Sequence, residues 1–284
     1  MAEAGVSRSA TNVALARAHL TWLGVVDDPH AEGMLPPDRQ RMAAALRLPG
    51  LRVLGLHSSF PYLAARTLFF DRFVADALAA GVRQVAVVAA GYDSRAWRLA
   101  RPGVTFFEID RPATQEDKRA RAPAGGGPVY VPADVTGPGL VGALAVAGHR
   151  PDEPTAFLAE GLIIYLARED AAALLARLAE VAAPGSRLAV SCETGFQHQR
   201  FNRRFARRYY RRRGEPMRFR LPRSEAEAFL AAAGWSAARL HAGADLDAYL
   251  RGTRMAGRLG DVPGAAYIVS ARREGPARGV SPRS

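Results

Sequence analysis

The sequence has 284 residues, 49% of them apolar, which is enough for one large α/β domain with a modest cap. Its longest apolar runs, such as Val85 to Ala90, are too short to cross a bilayer. The single cysteine, Cys192, excludes an intrachain disulfide and a cysteine-rich metal site. The N-terminus has no basic region followed by an apolar core, so we expect a cytoplasmic protein without a membrane partner.

The formal net charge is +12, and Lys118 is the only lysine among 39 basic residues. Arginine is the better bidentate partner for carboxylates and phosphates, so this excess suits an anionic ligand. The arginines crowd between Arg200 and Arg213 and recur in the tail from Arg272 to Ser284, whose Gly, Pro and Ser content predicts disorder. The charge leaves a nucleic-acid methyltransferase or binder as an alternative, but no RNA-binding module or aromatic motif accompanies it.

The first eighty residues predict a helical N-terminal extension over residues 1–80. Helical patterns cover Thr11–Trp22, Asp38–Leu48 and Pro61–Ala80, separated by proline and glycine breaks. In the third pattern, apolar residues recur near the helical period, and Gly81 follows as a C-cap.

From Gln84 onward, short β-rich runs alternate with helical ones. The predicted strands are Val85–Val88, Thr105–Ile109, Val129–Val131, Thr155–Ala159 and Arg187–Cys192. The predicted helices between them are Ser94–Leu99, Ala113–Arg119, Leu140–Ala147 and Arg168–Ala183. This alternation predicts a mostly parallel sheet with helices on both faces.

The last third predicts an Arg-rich amphipathic segment, one helix and two further strands. They cover Phe196–Arg213, Ser224–Ala233, Ala237–His241 and Ala265–Ala271. The final strand returns by a near-hairpin and is therefore expected to be antiparallel. We predict a Rossmann-like α/β domain with a seven-stranded sheet over residues 81–271. A lid is expected within it, near residues 195–222, and includes Phe196–Arg213. A basic tail is expected over residues 272–284.

Open parallel sheets bind ligands at the carboxyl ends of their strands. The first predicted strand leads into Ala89, Ala90 and Gly91, whose small side chains let the backbone approach a ligand, although only one glycine of the dinucleotide fingerprint is present. Asp110 ends the second strand, where a carboxylate can accept hydrogen bonds from both hydroxyls of a ribose. The alternatives are a tight turn without a ligand and an aspartate that caps the helix near Pro112.

The third and fourth strands also end in candidate residues. Asp134 can accept from an adenine amino group while the backbone N–H of Val135 donates to the ring; the alternative is a turn aspartate. Glu160 is flanked by apolar residues and is costly to bury without a partner, which makes it a functional candidate. Arg66, on the helix before the sheet, is a candidate partner for a ligand carboxylate, and a solvated helix arginine is the alternative.

Six short motifs follow one another between Thr11 and Cys192. They are Asp28-Pro29, Ala65-Arg66-Thr67, the run Ala89–Leu99, Phe107–Asp110, Pro132–Val135 and Leu158–Leu166. In this order they resemble the leucine carboxyl methyltransferase-like group of class I S-adenosyl-L-methionine-dependent methyltransferases, which includes bacterial members from natural-product pathways.

The resemblance implies that S-adenosyl-L-methionine is the cofactor and that six residues bind it. Arg66 would hold the carboxylate of the cofactor, Gly91 would let its amino-acid part approach, and Glu160 would bind the amino-acid end. Asp110 would bind the ribose, and Asp134 with Val135 the adenine. Ala89 stands where the family usually has glycine, and an alanine is tolerated there when its φ is negative.

The expected reaction is methylation of an oxygen on a small acidic or phenolic metabolite of polyketide type. A carboxylate acceptor, with a reference pKa near ~4, needs no general base, whereas a phenol, near ~10, does. Tyr165, His57 and His198 are the available base candidates, and no cluster has metal-ligand spacing. A nicotinamide dehydrogenase would carry the triple-glycine turn and a Tyr/Lys or His catalytic set, and a protein that binds the cofactor without methylating remains an alternative.

Overall fold

The computed structural model describes residues 7–48, 60–192, 217–259 and 266–275. The lid predicted over Phe196–Arg213, the base candidates His57 and His198, and residues 276–284 of the predicted tail lie outside these ranges.

Three helices make up the described N-terminal part: α1 (Arg8–Trp22), α2 (Pro37–Ala45) and α3 (Phe60–Ala79). Ser7 caps α1, because its Oγ accepts a hydrogen bond from Ala10 N at 3.2 Å. Pro37 opens α2 at a position where the missing N–H costs nothing. Gly81, with a φ of 91°, follows α3 as a C-cap glycine does. The predicted helices are present, although α2 ends at Ala45 rather than at Leu48.

Seven strands form one sheet in the order β3-β2-β1-β4-β5-β7-β6. Their bounds are β1 Gln84–Val88, β2 Thr105–Asp110, β3 Val129–Pro132, β4 Thr155–Ala159, β5 Arg187–Cys192, β6 Ser236–His241 and β7 Tyr267–Arg272. The β7 strand runs antiparallel to both of its neighbours, and the pairs among β1 to β5 are parallel. This confirms the predicted Rossmann-like sheet with an antiparallel last strand.

The remaining helices cover both faces of the sheet. They are α4 (Arg95–Arg98), α5 (Pro112–Arg119), α6 (Leu140–Val146), α7 (Arg168–Glu180), α8 (Ala226–Ala232) and α9 (Ala244–Asp247). The α7 helix ends at Glu180, three residues before the predicted Ala183, where Pro184 disfavours helical conformation. None of the helices in the described ranges is both long and apolar enough to span a bilayer.

The strands divide the core into two layers. On one face of the sheet, Val85 and Val87 share a core cluster with residues of α3. On the other face, Phe107 and Ile109 share a core cluster with residues of α6, α7 and α8. Every residue of β1 and β4 is buried, as expected for strands covered on both faces. Trp235 joins the second layer and donates from its indole N–H to Leu175 O at 2.9 Å. Polar residues lie at the carboxyl ends of β2, β3 and β4, outside these two core layers.

Candidate functional site

The sheet has its switch point between β1 and β4, since the chain moves outward from β1 to β3 and then returns to β4. In this topology, ligands bind in the crevice at the carboxyl ends of the strands. Backbone hydrogen bonds tie the loops there together, from Ala90 N to Ile109 O at 3.1 Å and from Ala133 N to Asp110 O at 3.0 Å. The structure therefore brings the predicted strand-end residues to one edge.

Asp110 holds the first two loops together. Its Oδ2 accepts from Gly91 N at 2.6 Å and its Oδ1 from Arg111 N at 2.7 Å, and the residue is 8% exposed. Burial raises the pKa of Asp110, and these two backbone hydrogen bonds oppose the shift. The helix-cap alternative is not realised, because Arg111 is itself the N-cap of α5 and no side chain caps the first turn of that helix. A carboxylate oxygen accepts more than one hydrogen bond, so each oxygen keeps capacity for a ribose hydroxyl.

The glycine turn departs from expectation at Ala89. Its φ is +54°, in the left-handed region, so the condition under which alanine would be tolerated there is not met. Only glycine adopts this region without a steric cost, which is about 1–2 kcal/mol for an L-residue. Ala89 is therefore strained, and the glycine usual in the family has a physical reason.

We predict that Ala89→Gly raises the free energy of unfolding by about 0.5 kcal/mol, since relief of the left-handed strain exceeds the entropy that glycine adds to the unfolded chain. Ala90→Gly is the matched control, because Ala90 has no positive φ and should lose about 0.5–1 kcal/mol. Urea unfolding of both variants checks the difference. A loss of stability in Ala89→Gly as large as in the control contradicts the assigned strain.

Gly91 is required for a different reason. Its φ is +52°, and a Cβ built on it would lie 2.8 Å from the Cβ of Ala10 in α1. The N-terminal helix therefore packs directly on the glycine turn. Arg17, two turns along α1, donates to Tyr92 O beside the same turn. The N-terminal extension is thus one wall of the candidate site.

Arg66 and Glu160 contact each other. Arg66 Nε donates to Glu160 Oε1 at 2.9 Å, and the two side chains are 5% and 9% exposed. The interpretation of Arg66 as a solvated helix residue is therefore wrong. A second guanidinium, that of Arg95, lies 2.9 Å from Glu160 Oε2. Burial raises the pKa of Glu160, but Arg95 and Arg66 outweigh it and lower the pKa overall.

Arg95 is the centre of a buried ionic cluster that the sequence reasoning missed. Its side chain is fully buried and contacts three carboxylates: Glu160, Asp93 and Asp71, the last at 2.7 Å from Nε. Burial raises the pKa of Asp93, but Arg95 and the other nearby cations lower it overall to about 2. The signal was available, since Asp93 and Arg95 belong to the run Ala89–Leu99 that carries the resemblance.

The same cluster extends to the N-terminal helices. Arg98 binds Asp71 with both terminal nitrogens, at 2.8 and 2.9 Å. Asp28 accepts from Ser94 Oγ at 2.7 Å and lies 3.1 Å from Arg17 Nε. Asp28 is completely buried at its carboxylate, which gives the Asp28-Pro29 motif a structural reason.

Asp134, Val135 and Tyr165 lie at the edge as well. Asp134 is exposed, and its Oδ1 accepts from Thr136 N at 2.9 Å and Thr136 Oγ1 at 2.8 Å, so the turn-aspartate alternative is realised. Val135 is half-buried and packs on the core. Tyr165 ends a short 3-10 helix, Ile163–Tyr165, that follows Glu160. Their roles toward a ligand stay predictions.

A second buried ion pair lies beneath Asp110 on the same face of β2. Lys118 donates its Nζ to Glu108 Oε2, with side-chain exposures of 1% and 2%, and lies 5.4 Å from the Trp97 ring centroid. Burial raises the pKa of Glu108 to about 7, although Lys118 acts in the opposite direction. The sequence signal was that the only lysine of an arginine-rich chain stands here.

We predict that Glu108 makes stability depend on pH. Its folded pKa lies above the ordinary value of 4.5, so the native state binds more protons than the unfolded state between pH 4.5 and about 7. The free energy of unfolding of the wild type should therefore fall relative to Glu108→Gln by about 3 kcal/mol as pH rises through this window, and stay level above it. Urea unfolding across pH 4.5–8 checks this; parallel curves for the two proteins contradict it.

The leucine carboxyl methyltransferase family model matches residues 10–179, which include Arg66, the glycine turn, Asp110, Asp134 and Glu160. A protein of Parafrankia sp. strain EAN1pec is 46% identical over 144 residues, which cover 49% of this chain and 46% of that protein. A protein of Mycolicibacterium paratuberculosis is 40% identical over 199 residues, covering 64% and 63%. Both names read "Putative S-adenosyl-L-methionine-dependent methyltransferase". The matched segments span about half to two thirds of these relatives.

Two solved structures share the fold. A DUF574 family protein of Streptomyces avermitilis has a TM-score of 0.56 at 23% identity, with 91% of this chain and 96% of that chain covered. A protein of Thermobifida fusca named "putative methyltransferase" has a TM-score of 0.54 at 18% identity, with 92% and 94% covered. Because the family model matches more than half of the sequence, with the strand-end residues inside the match, this chain belongs to the leucine carboxyl methyltransferase family.

Proposed function

We propose that this protein transfers the methyl group of S-adenosyl-L-methionine to a carboxylate oxygen of a small acidic metabolite. The observation that carries the proposal is the placement of Glu160 and Asp93 against the buried guanidinium of Arg95. Glu160 and Asp93 are both held below their usual pKa by buried arginines, so they are weak bases. An acceptor that is already ionised at neutral pH needs no proton removed.

The residues at the strand ends fit the proposed cofactor. Ala89, Gly91 and Gly161 all have positive φ values and place small residues at the edge, and a Cβ on Gly161 would lie 3.3 Å from Arg66 Nη1. Asp110 supplies acceptors for a vicinal diol, and the Arg66–Glu160 pair supplies one cation and one anion for a zwitterionic amino-acid end. Asp134 and Val135 would hold the adenine.

When bound, S-adenosyl-L-methionine supplies an electrophilic methyl group on a sulfonium. The chain's own residues position the binding groups and balance their charges. Arg66 and Arg95 keep Glu160 ionised and fixed in direction, and Asp110 holds the glycine turn by its hydrogen bond to Gly91. When the reacting groups are held in place before the reaction, less entropy is lost on reaching the transition state. In well-oriented systems this lowers the activation free energy by up to about 7–11 kcal/mol.

A phenol would need a base, and Glu160 and Asp93 would serve poorly, because a group with a lowered pKa removes a proton from a phenol poorly. Asp110, whose pKa burial raises, already accepts hydrogen bonds from Gly91 N and Arg111 N. Tyr165 is the base candidate in the described part of the chain, and His57 and His198 are candidates outside it. A carboxylate acceptor requires none of the three. The family name, which specifies carboxyl methylation, supports the same choice.

The test uses S-adenosyl-L-methionine with an isotope label on its methyl group and a panel of small carboxylic acids and phenols. The proposal predicts labelled products that release methanol under mild alkali, as methyl esters do. Labelled products that resist alkali, as aryl methyl ethers do, contradict the carboxylate acceptor while keeping the methyltransferase activity.

A further inference from the structure

A second cleft, of about 380 Å³, lies between α3 and the β5-β7-β6 end of the sheet. Four arginines and one carboxylate line it: Arg72, Arg187, Arg239, Arg272 and Asp76. Arg187 is the first residue of β5 and Arg272 the last residue of the antiparallel β7. The cleft is therefore at the amino-terminal edge of the parallel strands, opposite the edge that carries the candidate cofactor residues.

Three of these arginines have no carboxylate partner among the described residues. Arg72 pairs with Asp76 at 2.9 Å, which leaves Arg187, Arg239 and Arg272 uncompensated. Arg187 and Arg272 are direct partners in the antiparallel β5–β7 ladder, so their side chains lie on the same face. Like charges at such positions are destabilising, and a bound anion would relieve the repulsion.

The backbone beside them is irregular. Ser236 pairs with Arg272 and Arg239 with Ser270, so β6 carries one extra residue, and Ala237 within this bulge has a φ of +50°. Bulges redirect side chains and are common next to functional sites, and a non-glycine residue in this region costs free energy that a site can require. The bulge sets Arg239 opposite Ser270 in the cleft.

Aromatic rings form the rest of the lining. Phe69 and Phe73 are stacked with centroids 6.4 Å apart, and the Tyr249 ring lies 5.5 Å from Phe69. His241 lies 4.7 Å from Phe69 and contacts Ser270 Oγ at 2.9 Å through Nε2. The cleft thus combines planar apolar surface with cationic groups.

We propose that this cleft is a second ligand site, which binds a small organic anion carrying a planar ring. Arg187, Arg239 and Arg272 would bind its phosphate or carboxylate group, for which guanidinium geometry is suited. The ring would lie against Phe73 and Tyr249. The volume falls within the range of about 300–1,000 Å³ typical of small-molecule sites.

Phenyl phosphate is the probe, measured by calorimetric titration of the full chain at low salt with and without saturating S-adenosylhomocysteine. Arg272→Gln is expected to raise its dissociation constant at least ~10-fold, a loss that corresponds to one charge-assisted contact. Arg101→Gln is the matched control, because Arg101 is an exposed loop arginine before β2 and its removal changes the net charge equally. It should alter the constant by less than about twofold.

A second measurement needs no ligand. Arg272→Gln should raise the Tm in low salt by about 1–3 °C, because it removes the repulsion from Arg187. Equal weakening of phenyl phosphate binding in both variants, absence of binding to the wild type, competition by S-adenosylhomocysteine, or a lower Tm in Arg272→Gln would each overturn the proposal.

Discussion

Asp110→Asn should weaken the binding of S-adenosyl-L-methionine by about 100-fold or more. The carboxylate is the proposed acceptor for both ribose hydroxyls, and each hydrogen bond to a charged group contributes about 1.5–3 kcal/mol. The fold should persist, because asparagine keeps one acceptor oxygen for the Gly91 N–H or the Arg111 N–H, both of which now bind Asp110. Calorimetric titration of the cofactor measures the loss.

Glu116→Gln is the control for this variant, since Glu116 is an exposed acid on α5 and its replacement changes the charge by the same amount. Its affinity for the cofactor should match the wild type. Equal affinities in wild type, Asp110→Asn and Glu116→Gln would remove Asp110 from the site and leave it only the role of holding the loops.

Arg95→Met should lower the free energy of unfolding by about 3–5 kcal/mol at pH 7, the cost of breaking a buried ion pair from one side. The substitution keeps much of the side-chain volume but leaves Asp71, Asp93 and Glu160 without their shared cation. Urea unfolding checks the size of the loss. Arg150→Met is the matched control: Arg150 pairs with Glu153 at the surface, at 2.7 Å and 61% exposure, and should lose no more than about 1 kcal/mol.

The pH dependence separates charge from packing in this prediction. Arg95 lowers the pKa values of Asp93 and Glu160. When Arg95→Met removes the guanidinium, burial of the two carboxyls should raise both pKa values. Protonation then neutralises the stranded carboxyls as pH falls, and the deficit of Arg95→Met should shrink between pH 7 and pH 5. A deficit that does not change with pH would assign the role of Arg95 to packing alone.

The sheet was predictable because its strands carry local signals. Apolar runs such as Val85–Val88 end in turn residues, and the strand bounds Thr155–Ala159 and Arg187–Cys192 agree with the structure. The strand-end candidates were also predictable, since strand alternation and the topology rule place Asp110 and Glu160 at the same edge.

The partners of these residues were not predictable from local signals. Arg66 and Glu160 are 94 positions apart in the sequence, and only the packing of α3 against the sheet brings them to 2.9 Å. The positive φ of Ala89 likewise depends on how the turn meets the next strand, and alanine gives no local sign of it. Asp93 and Arg95 stand together in the run Ala89–Leu99, but the contacts of Arg95 with Asp71 and Glu160 join distant parts of the sequence and depend on the fold.

Hydrogen exchange with mass analysis, in the absence and presence of S-adenosylhomocysteine, tests most directly whether the loops after β1, β2, β3 and β4 form one binding site. We predict slower exchange of backbone amides in all four loops, residues 89–95, 110–114, 133–136 and 160–163, with no change in β6. Slower exchange confined to one of these loops, or absent from all four, would contradict a cofactor site at this edge of the sheet.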